Sequence, residues 1–273
     1  MINVVVLTGS DIRHKAFAIR FMNSSKINVL CSYSEAESPL KKSILTRKKI
    51  DDEILYHLEE RNQVEKDIFG WFLDQHKHAL KMLKVIKRGG FSDKDFLEEI
   101  KELNPQLILV YGTSLLKGEI INKFRNKIIN VHLGLSPYYR GSGTGYFPFV
   151  NNEPEYCGAT FMFLDEGIDT GRIIHQIRPN IYPRDSFHLL SIRFLKDIFD
   201  TYVSIIENYS TIQEPLKFGT GQNKTNKYYK RSDFNLENLY QLWKYFKSSS
   251  LKQYLDNKIE RDRRVPILAQ KKL

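Results

Sequence analysis

Short apolar runs alternate with charged segments of helical spacing along most of the chain. Apolar runs at 2–8, 27–33 and 105–111 each lead into glycine or turn residues, and predict buried parallel strands. Asp11 follows the first run and predicts a helix over 12–23. This alternation indicates an α/β fold with a Rossmann-like doubly wound sheet. The G-x-G-x-x-G fingerprint of dinucleotide sites does not follow the first strand.

The second half of the chain continues the alternation and then becomes helical. Further strands are predicted at 128–133, 157–163 and 173–178, and further helices within 34–90 and at 118–125, 185–206, 236–246 and 251–259. Residues 219–223 are typical of a flexible linker. We therefore predict a core over 1–206 and a basic, mainly helical C-terminal extension over 207–273.

Composition narrows the class of protein. Of the 273 residues, 41% are hydrophobic, which is enough for a sizeable core, and no run of 18 apolar residues predicts a membrane span. The first residues read as a strand rather than a signal peptide. Two distant cysteines, Cys31 and Cys157, favour a reducing, cytoplasmic location. The net charge is +10. Residues 206–273 hold 14 basic and 7 acidic side chains, so +7 of it lies there.

Candidate chemistry concentrates between residues 128 and 176. Asn130 and His132 alternate with apolar residues, so they project from one face of a strand. Their side chains leave the backbone about 7 Å apart. Alone, such a pair more often bonds loop backbone. Asp169 changes this, because a nearby carboxylate orients an imidazole and favours its charged form. Gly167 and Gly171 beside it predict backbone angles that other residues avoid. An amide donor, a base and an orienting acid suit acyl transfer to an attacking amine.

The same stretch resembles the folate-dependent formyltransferases, a family that includes glycinamide ribonucleotide, methionyl-tRNA and nucleotide-sugar N-formyltransferases. About 70 residues carry the resemblance, with weaker similarity of layout reaching back to residue 1. The matching residues are Asn130-x-His132, Pro137-Tyr138-Tyr139-Arg140-Gly141, Gly158-Ala159-Thr160 and Asp169-Thr170-Gly171. The segment from Leu133 to Pro137 departs from the S-L-L-P that many relatives carry after the histidine, which leaves the acceptor open.

The resemblance implies a donor, a site and roles. The donor would be N10-formyltetrahydrofolate as co-substrate. Asn130 and a protonated His132 would stabilise the oxyanion, and Asp169 would orient the histidine. The pterin would lie between two loops, whose implied contact residues are Ser114, Leu115 and Leu116 on one side and Asp165, Glu166 and Gly167 on the other. No metal is required. His76 and His78 stand alone without further ligands nearby in sequence.

The acceptor is open to several interpretations. The basic, aromatic C-terminal part and the lack of a β-rich tRNA domain favour a nucleotide-linked amino sugar, with Arg140 and Tyr139 as candidate contacts. Hydroxyornithine and methionyl-tRNA are the enzymatic alternatives, and net charge alone favours the tRNA. An inactive scaffold that binds RNA or a protein is the non-enzymatic alternative. We expect small-molecule partners, no membrane, and either a monomer or a homodimer formed through the C-terminal helices.

Overall fold

The computed structural model describes residues 1–37, 51–212 and 226–271. In this part of the chain the strands are Ile2–Thr8 (β1), Ile27–Glu35 (β2), Leu83–Ile86 (β3), Leu107–Tyr111 (β4), Ile128–His132 (β5), Tyr139–Gly141 (β6), Ala159–Phe163 (β7), Ile173–Ile177 (β8) and Lys227–Tyr229 (β9). The helices are Ile12–Met22 (α1), Asp52–Gln75 (α2), Lys77–Lys81 (α3), Lys94–Leu103 (α4), Glu119–Lys123 (α5), Phe147–Val150 (α6), Phe187–Glu207 (α7), Leu236–Lys247 (α8), Ser250–Asp256 (α9) and Lys258–Arg264 (α10). The predicted linker at 219–223 lies outside the described residues.

A seven-stranded mixed sheet organises the molecule. Its strand order is β3-β2-β1-β4-β5-β7-β8. The strands from β3 to β5 run parallel, whereas β7 and β8 are antiparallel to their neighbours. The predicted α/β, Rossmann-like class is confirmed. Because parallel strands end at a common edge, the carboxyl ends of β1, β4 and β5 lie together, where ligands of open α/β sheets bind.

Alternation along β1 shows why helices cover both faces of the sheet. Val4 and Val6 pack into one hydrophobic cluster with α1 and α7, and Val5 and Leu7 pack into another with α4. All four side chains are fully buried. Successive residues of a strand point to opposite faces, so a continuous apolar run needs helices on both sides.

The structure corrects the predicted elements in two places. Leu83 and Ile86 fit a helical spacing, yet they bound strand β3, which pairs with β2 at the edge of the sheet. The single helix predicted over 251–259 is divided at Asn257 into α9 and α10. In both cases tertiary contacts decided between elements that a short apolar pattern fits equally well.

The C-terminal segment packs on the loop that follows β5. Leu239, Leu242 and Tyr254 share one hydrophobic cluster with Tyr139 and Phe149. Burying side chains of this size contributes about 1.5–3 kcal/mol each. The last described residues run along β8, where the Gln176 amide donates to the Leu268 carbonyl at 2.6 Å. A helical C-terminal region is therefore present, while the domain boundary at 206/207 stays a prediction.

Candidate active site

Strand β5 places Asn130 and His132 at the carboxyl edge of the sheet. Ile129 and Val131 point into the hydrophobic core, as their alternation predicts. His132 is the last residue of β5 and is 6% exposed. Asn130 pairs in register with Val110 of β4. The two polar residues therefore lie where the strand leaves the sheet, beside the loop after β4.

His132 is held from both ring nitrogens. Its Nδ1 lies 3.3 Å from Asp169 Oδ1. Its Nε2 lies 3.0 Å from the Tyr139 carbonyl and 3.2 Å from the Thr144 hydroxyl. Since that hydroxyl donates to the Leu133 carbonyl, Nε2 must be the donor in its own contacts. Both ring nitrogens therefore face hydrogen-bond acceptors of the protein.

Asp169 completes the pair from the loop between β7 and β8. Its φ is 52°, in the left-handed region that aspartate tolerates better than most residues. Its Oδ1 faces His132, and its Oδ2 accepts a hydrogen bond of 2.8 Å from the Gly141 amide. The carboxylate is thus fixed at both oxygens. The sequence prediction that Asp169 and His132 meet is matched by this geometry.

The expected role of the flanking glycines was wrong. Among the described residues, neither Gly167 nor Gly171 has a positive φ; the strained position is Asp169 itself. Gly171 is required for a different reason, since a Cβ there would lie 1.7 Å from the Phe163 carbonyl oxygen. The loop therefore needs glycine for close backbone approach rather than for unusual angles.

Asn130 differs from His132 and Asp169 because its side chain is not engaged in hydrogen bonds with the described residues. It is half-buried, and its side-chain amide has no hydrogen-bond partner among the described residues, although its backbone is paired within the sheet. His132, in contrast, directs both nitrogens at protein acceptors. The arrangement therefore leaves the Asn130 side-chain amide available as a hydrogen-bond donor, whereas the nitrogens of His132 are already used within the protein.

Strand β6 carries both residues predicted to contact the acceptor, but it exposes only one of them. Arg140 is partly exposed; its Nε donates to Asn226 and its Nη1 to the Ile168 carbonyl. Tyr139 is fully buried, and its hydroxyl bonds Glu153. Burial raises the pKa of Tyr139 far above its usual value. We carry forward Arg140 alone as a candidate acceptor contact.

The loop after β4 is anchored by a carboxylate that the sequence analysis missed. Glu35, at the end of β2, is fully buried and accepts from the Gly89 and Ser114 amides at 2.9 and 2.8 Å, and from the Ser114 hydroxyl. The Ser114 amide is therefore already used within the protein. Leu116 is buried, whereas Leu115 is 55% exposed. An acidic residue ending an apolar strand was the available signal for Glu35.

A cavity of about 540 Å³ opens beside the loop that carries Asp169. Its lining includes Asp165, Glu166 and Gly167, which were predicted to contact the folate. It also includes the apolar Ile121 and Phe163. Ser114, Leu115 and Leu116 are not part of the lining. The cavity is of ligand size and lies beside one of the two predicted loops, but Asn130, His132 and Asp169 are not among its lining residues.

Three further findings concern the described ranges as a whole. They contain no group of three or more His, Cys, Asp or Glu side chains arranged to hold a metal ion. No described helix has both the length and the apolar character needed to cross a membrane. Both cysteines are free, and burial raises the pKa of the Cys157 thiol to about 12.

Comparison with known proteins shows the family to which this chain belongs. A family model for formyl transferases matches residues 3–206, and the chain belongs to this family. The methionyl-tRNA formyltransferase of Desulforamulus reducens is 38% identical over 106 residues. That match covers 38% of this chain and 33% of the relative, so it spans about a third of the relative's length.

Solved structures share the fold at low sequence identity. The phosphoribosylglycinamide formyltransferase of Anaplasma phagocytophilum has a TM-score of 0.55 and 16% identity, covering 84% of this chain and 99% of its own. An N-formyltransferase from Helicobacter canadensis, solved with folinic acid and dTDP-3-aminofucose, has a TM-score of 0.55 and 19% identity, covering 93% of this chain and 82% of its own.

Proposed function

We propose that this protein transfers a formyl group from N10-formyltetrahydrofolate to the primary amine of a nucleotide-linked amino sugar. The observation that carries the reaction is the His132–Asp169 pair beside the open amide of Asn130. Membership of the formyl transferase family supports it. The two parts of the proposal, the reaction and the acceptor, rest on different residues.

We assign the donor to the cavity beside the Asp169 loop, because its lining includes the predicted contacts Asp165, Glu166 and Gly167. The cavity falls within the usual range of small-molecule sites, and it combines apolar walls with the polar backbone of residues 165–167. Leu115 is an exposed apolar side chain on the loop after β4. When bound, N10-formyltetrahydrofolate supplies an activated formyl carbon. Binding, orientation and proton handling then fall to the residues of this chain.

Three side chains divide the catalytic work in this proposal. The Asn130 amide N–H donates to the oxyanion that develops as the acceptor nitrogen bonds the formyl carbon. The positively charged His132 ring stabilises the same charge through space. Asp169 keeps that ring oriented, and through water it accepts the proton that the acceptor amine loses. The bond from the formyl carbon to the donor nitrogen breaks, and that nitrogen takes up a proton.

The acceptor side is exposed, cationic and aromatic. In the parallel pairing of β6 with β9, Arg140 lies directly opposite Tyr228. Tyr228 is 44% exposed, and Arg140 keeps its Nη2 without a hydrogen-bond partner among the described residues. A guanidinium beside an exposed ring suits a phosphate joined to a planar base. The sugar nucleotide bound to the H. canadensis protein supports the same acceptor class.

Turnover with separate acceptors tests the proposal. Purified protein and N10-formyltetrahydrofolate are mixed in turn with nucleotide-linked 3-amino and 4-amino deoxysugars, hydroxyornithine, glycinamide ribonucleotide and methionyl-tRNA. Tetrahydrofolate release is followed by absorbance and the product by mass. We expect release and a gain of one formyl group with one amino sugar. Release with none of the amines, together with no folate binding, would overturn the reaction itself.

Arg140 gives a sharper test of the acceptor. Arg140→Lys keeps the charge but loses the planar fork, so the KM for a phosphate-bearing acceptor should rise about tenfold while the KM for the donor stays constant. Arg125→Lys, in the lining of the donor cavity, is the matched control and should leave the acceptor KM unchanged. An unchanged acceptor KM in Arg140→Lys would remove this residue from the acceptor site.

Methionyl-tRNA is the second candidate acceptor. The curated relative from D. reducens acts on it by name, and residues 206–273 carry a net charge of +7. A gel shift with tRNA that weakens steeply with salt, together with formylation of the aminoacyl group, would favour this acceptor. Salt-sensitive binding without formylation would instead indicate an RNA-binding scaffold.

A further inference from the structure

Strand β6 supplies the backbone that holds both members of the catalytic pair. Its first residue, Tyr139, offers the carbonyl that faces His132 Nε2. Its last residue, Gly141, donates its amide to Asp169 Oδ2. Between them, Arg140 donates to the Ile168 carbonyl, directly before Asp169. A shift of this short strand would therefore move the histidine, the carboxylate and the loop of the carboxylate together.

The strand paired with β6 comes from far along the chain. Strand β9 follows the core by about twenty residues and lies outside the family match, which ends at 206. The two strands run parallel, with Tyr139 opposite Lys227 and Gly141 opposite Tyr229. The Lys227 amide donates to the Tyr138 carbonyl at 2.8 Å, and the Ser142 amide donates to the Tyr229 carbonyl at 2.9 Å.

Close packing fixes the two strands at one separation. A Cβ on Gly141, whose φ is 94°, would lie 2.1 Å from the Tyr229 carbonyl oxygen, so only glycine permits this approach. The Tyr229 ring stacks on Phe147 with centroids 3.8 Å apart and planes 7° apart. The Asn151 amide donates to both the Tyr229 and Tyr139 hydroxyls. Lys227 pairs with Glu153 at 2.5 Å.

We propose that β9 is a positioning strand of the active site, with Tyr229 as its anchor. By pairing with β6 it sets the Tyr139 carbonyl and the Gly141 amide, and through them the geometry of His132 and Asp169. The segment after the family-matched core thus completes the catalytic pair, although β9 contributes no catalytic residue. This inference rests on the proposed function, because its kinetic consequence is a loss of formyl transfer.

Substitution at Tyr229 tests the anchor. Tyr229→Ala removes the stacked ring and the hydroxyl, and we expect kcat to fall about 100-fold, as for a small displacement of catalytic groups. The apparent Kd for folate should not change, because the donor cavity does not touch β9. Tyr229→Phe keeps the ring and should restore most of kcat. Equal kcat in the wild type and Tyr229→Ala would overturn the proposal.

A matched control separates positioning from general instability. Leu242→Ala truncates a fully buried side chain of the same hydrophobic cluster, on α8, outside β6 and β9. It should lower the melting temperature at least as much as Tyr229→Ala, yet keep kcat within about twofold when assayed well below that temperature. A similar loss of kcat in both variants would mean that β9 acts only through stability.

A readout without turnover keeps this inference separable from the proposed function. The imidazole ¹H–¹⁵N spectrum of the whole protein, with His132 assigned by His132→Gln, reports the two nitrogen contacts directly. Tyr229→Ala and Gly141→Ala should move the His132 signals, whereas Leu242→Ala should not. Unmoved signals would refute the positioning role even if no acceptor were known. Moved signals in a protein that transfers no formyl group would refute the function and keep the positioning.

Discussion

Two buried histidine environments in this protein differ in their surroundings, one polar and one aromatic. His132 is placed between a carboxylate, a carbonyl and a hydroxyl. His57 on α2 and His188 on α7 lie with their ring centroids 4.3 Å apart, beside Tyr146 and Phe187. In the described part of the chain, His57 Nδ1 has no hydrogen-bond partner. The fold therefore places acceptors at both ring nitrogens of His132, whereas His57 Nδ1 has no partner among the described residues.

The cost of charge shows in the second pair. Burial, and then the nearby His188 and Arg61, lower the pKa of His57 to about 3. Burial and Arg61 lower the pKa of His188 to about 4. Both rings are therefore neutral packing groups at ordinary pH. Burial by itself disfavours the charged form of a histidine, whereas a carboxylate fixed within reach favours it.

The largest expected effect comes from removing that carboxylate. Asp169→Asn keeps the shape of the side chain but removes its negative charge, so the His132 ring loses its orienting partner. We expect the fold to persist and kcat to fall about a thousandfold. Tetrahydrofolate release measures the rate, and circular dichroism checks the fold.

The same chemical change elsewhere is the control for Asp169→Asn. Asp200→Asn alters an exposed carboxylate on α7, which is 59% exposed and pairs only with Arg20 among the described residues. It should leave kcat unchanged. Near-normal turnover in Asp169→Asn would contradict the roles proposed for the pair.

The neutral histidines make stability depend on pH. Their pKa values are lower in the folded state than in the unfolded chain, so the unfolded chain binds more protons between about pH 4 and 6.5. The contribution of these two histidines to the free energy of unfolding is then fully present above about pH 6.5. It falls with acidification by about 1.4 kcal/mol per pH unit for each histidine. Urea unfolding from pH 7 to pH 4.5 measures this slope.

Replacing one of the pair should flatten the pH dependence. His57→Phe removes one titrating group within an aromatic surrounding and should reduce the slope by about half. His78→Phe, at an exposed position on α3, should leave the slope unchanged. If the His57→Phe and wild-type curves run parallel over this range, the buried pair does not set the acid sensitivity.

The smallest effect should come from Glu35, a buried carboxylate whose partners are two backbone amides, the Ser114 hydroxyl and Arg88 rather than a histidine. Glu35→Gln weakens the contacts with the Gly89 and Ser114 amides and should cost about 1.5–3 kcal/mol of unfolding free energy. Because those contacts fix the loop after β4, the apparent Kd for folate should also rise, while kcat at saturation stays close to wild type.

Urea unfolding and a folate titration check Glu35→Gln. Glu119→Gln changes a 65% exposed carboxylate and should alter both quantities negligibly. A Glu35→Gln protein that loses stability but binds folate normally would separate the anchor from the donor site.

The sequence was most informative where one pattern left one choice. The strand predicted at 2–8 is β1 with the same bounds, since its continuous apolar run requires burial on both faces. Asn130 and His132 were placed together by period-two alternation alone. Asp169 was joined to them because a carboxylate orients an imidazole, and the resemblance to formyltransferases implied the same role; the structure places its carboxylate 3.3 Å from His132.

Contacts between segments that lie far apart in the chain do not follow from local sequence patterns. Glu35 and Ser114 are separated by 79 positions, and Arg140 and Asn226 by 86. Strand β3 fits a helical spacing as well as a strand, and only pairing with β2 decides it. The antiparallel course of β7 and β8 likewise depends on their partners rather than on their own residues.

By itself, the sequence determined the α/β fold, the polar pair at the end of β5 and the family to which the chain belongs. Local periodicity and short motifs carry that information, because each depends on residues close together in the chain. Only the tertiary structure decided that Tyr139 is buried, that Asn130 stays open, and that β9 pairs with β6. Those features depend on which distant segments share a surface, and burial and backbone pairing are settled only when they meet.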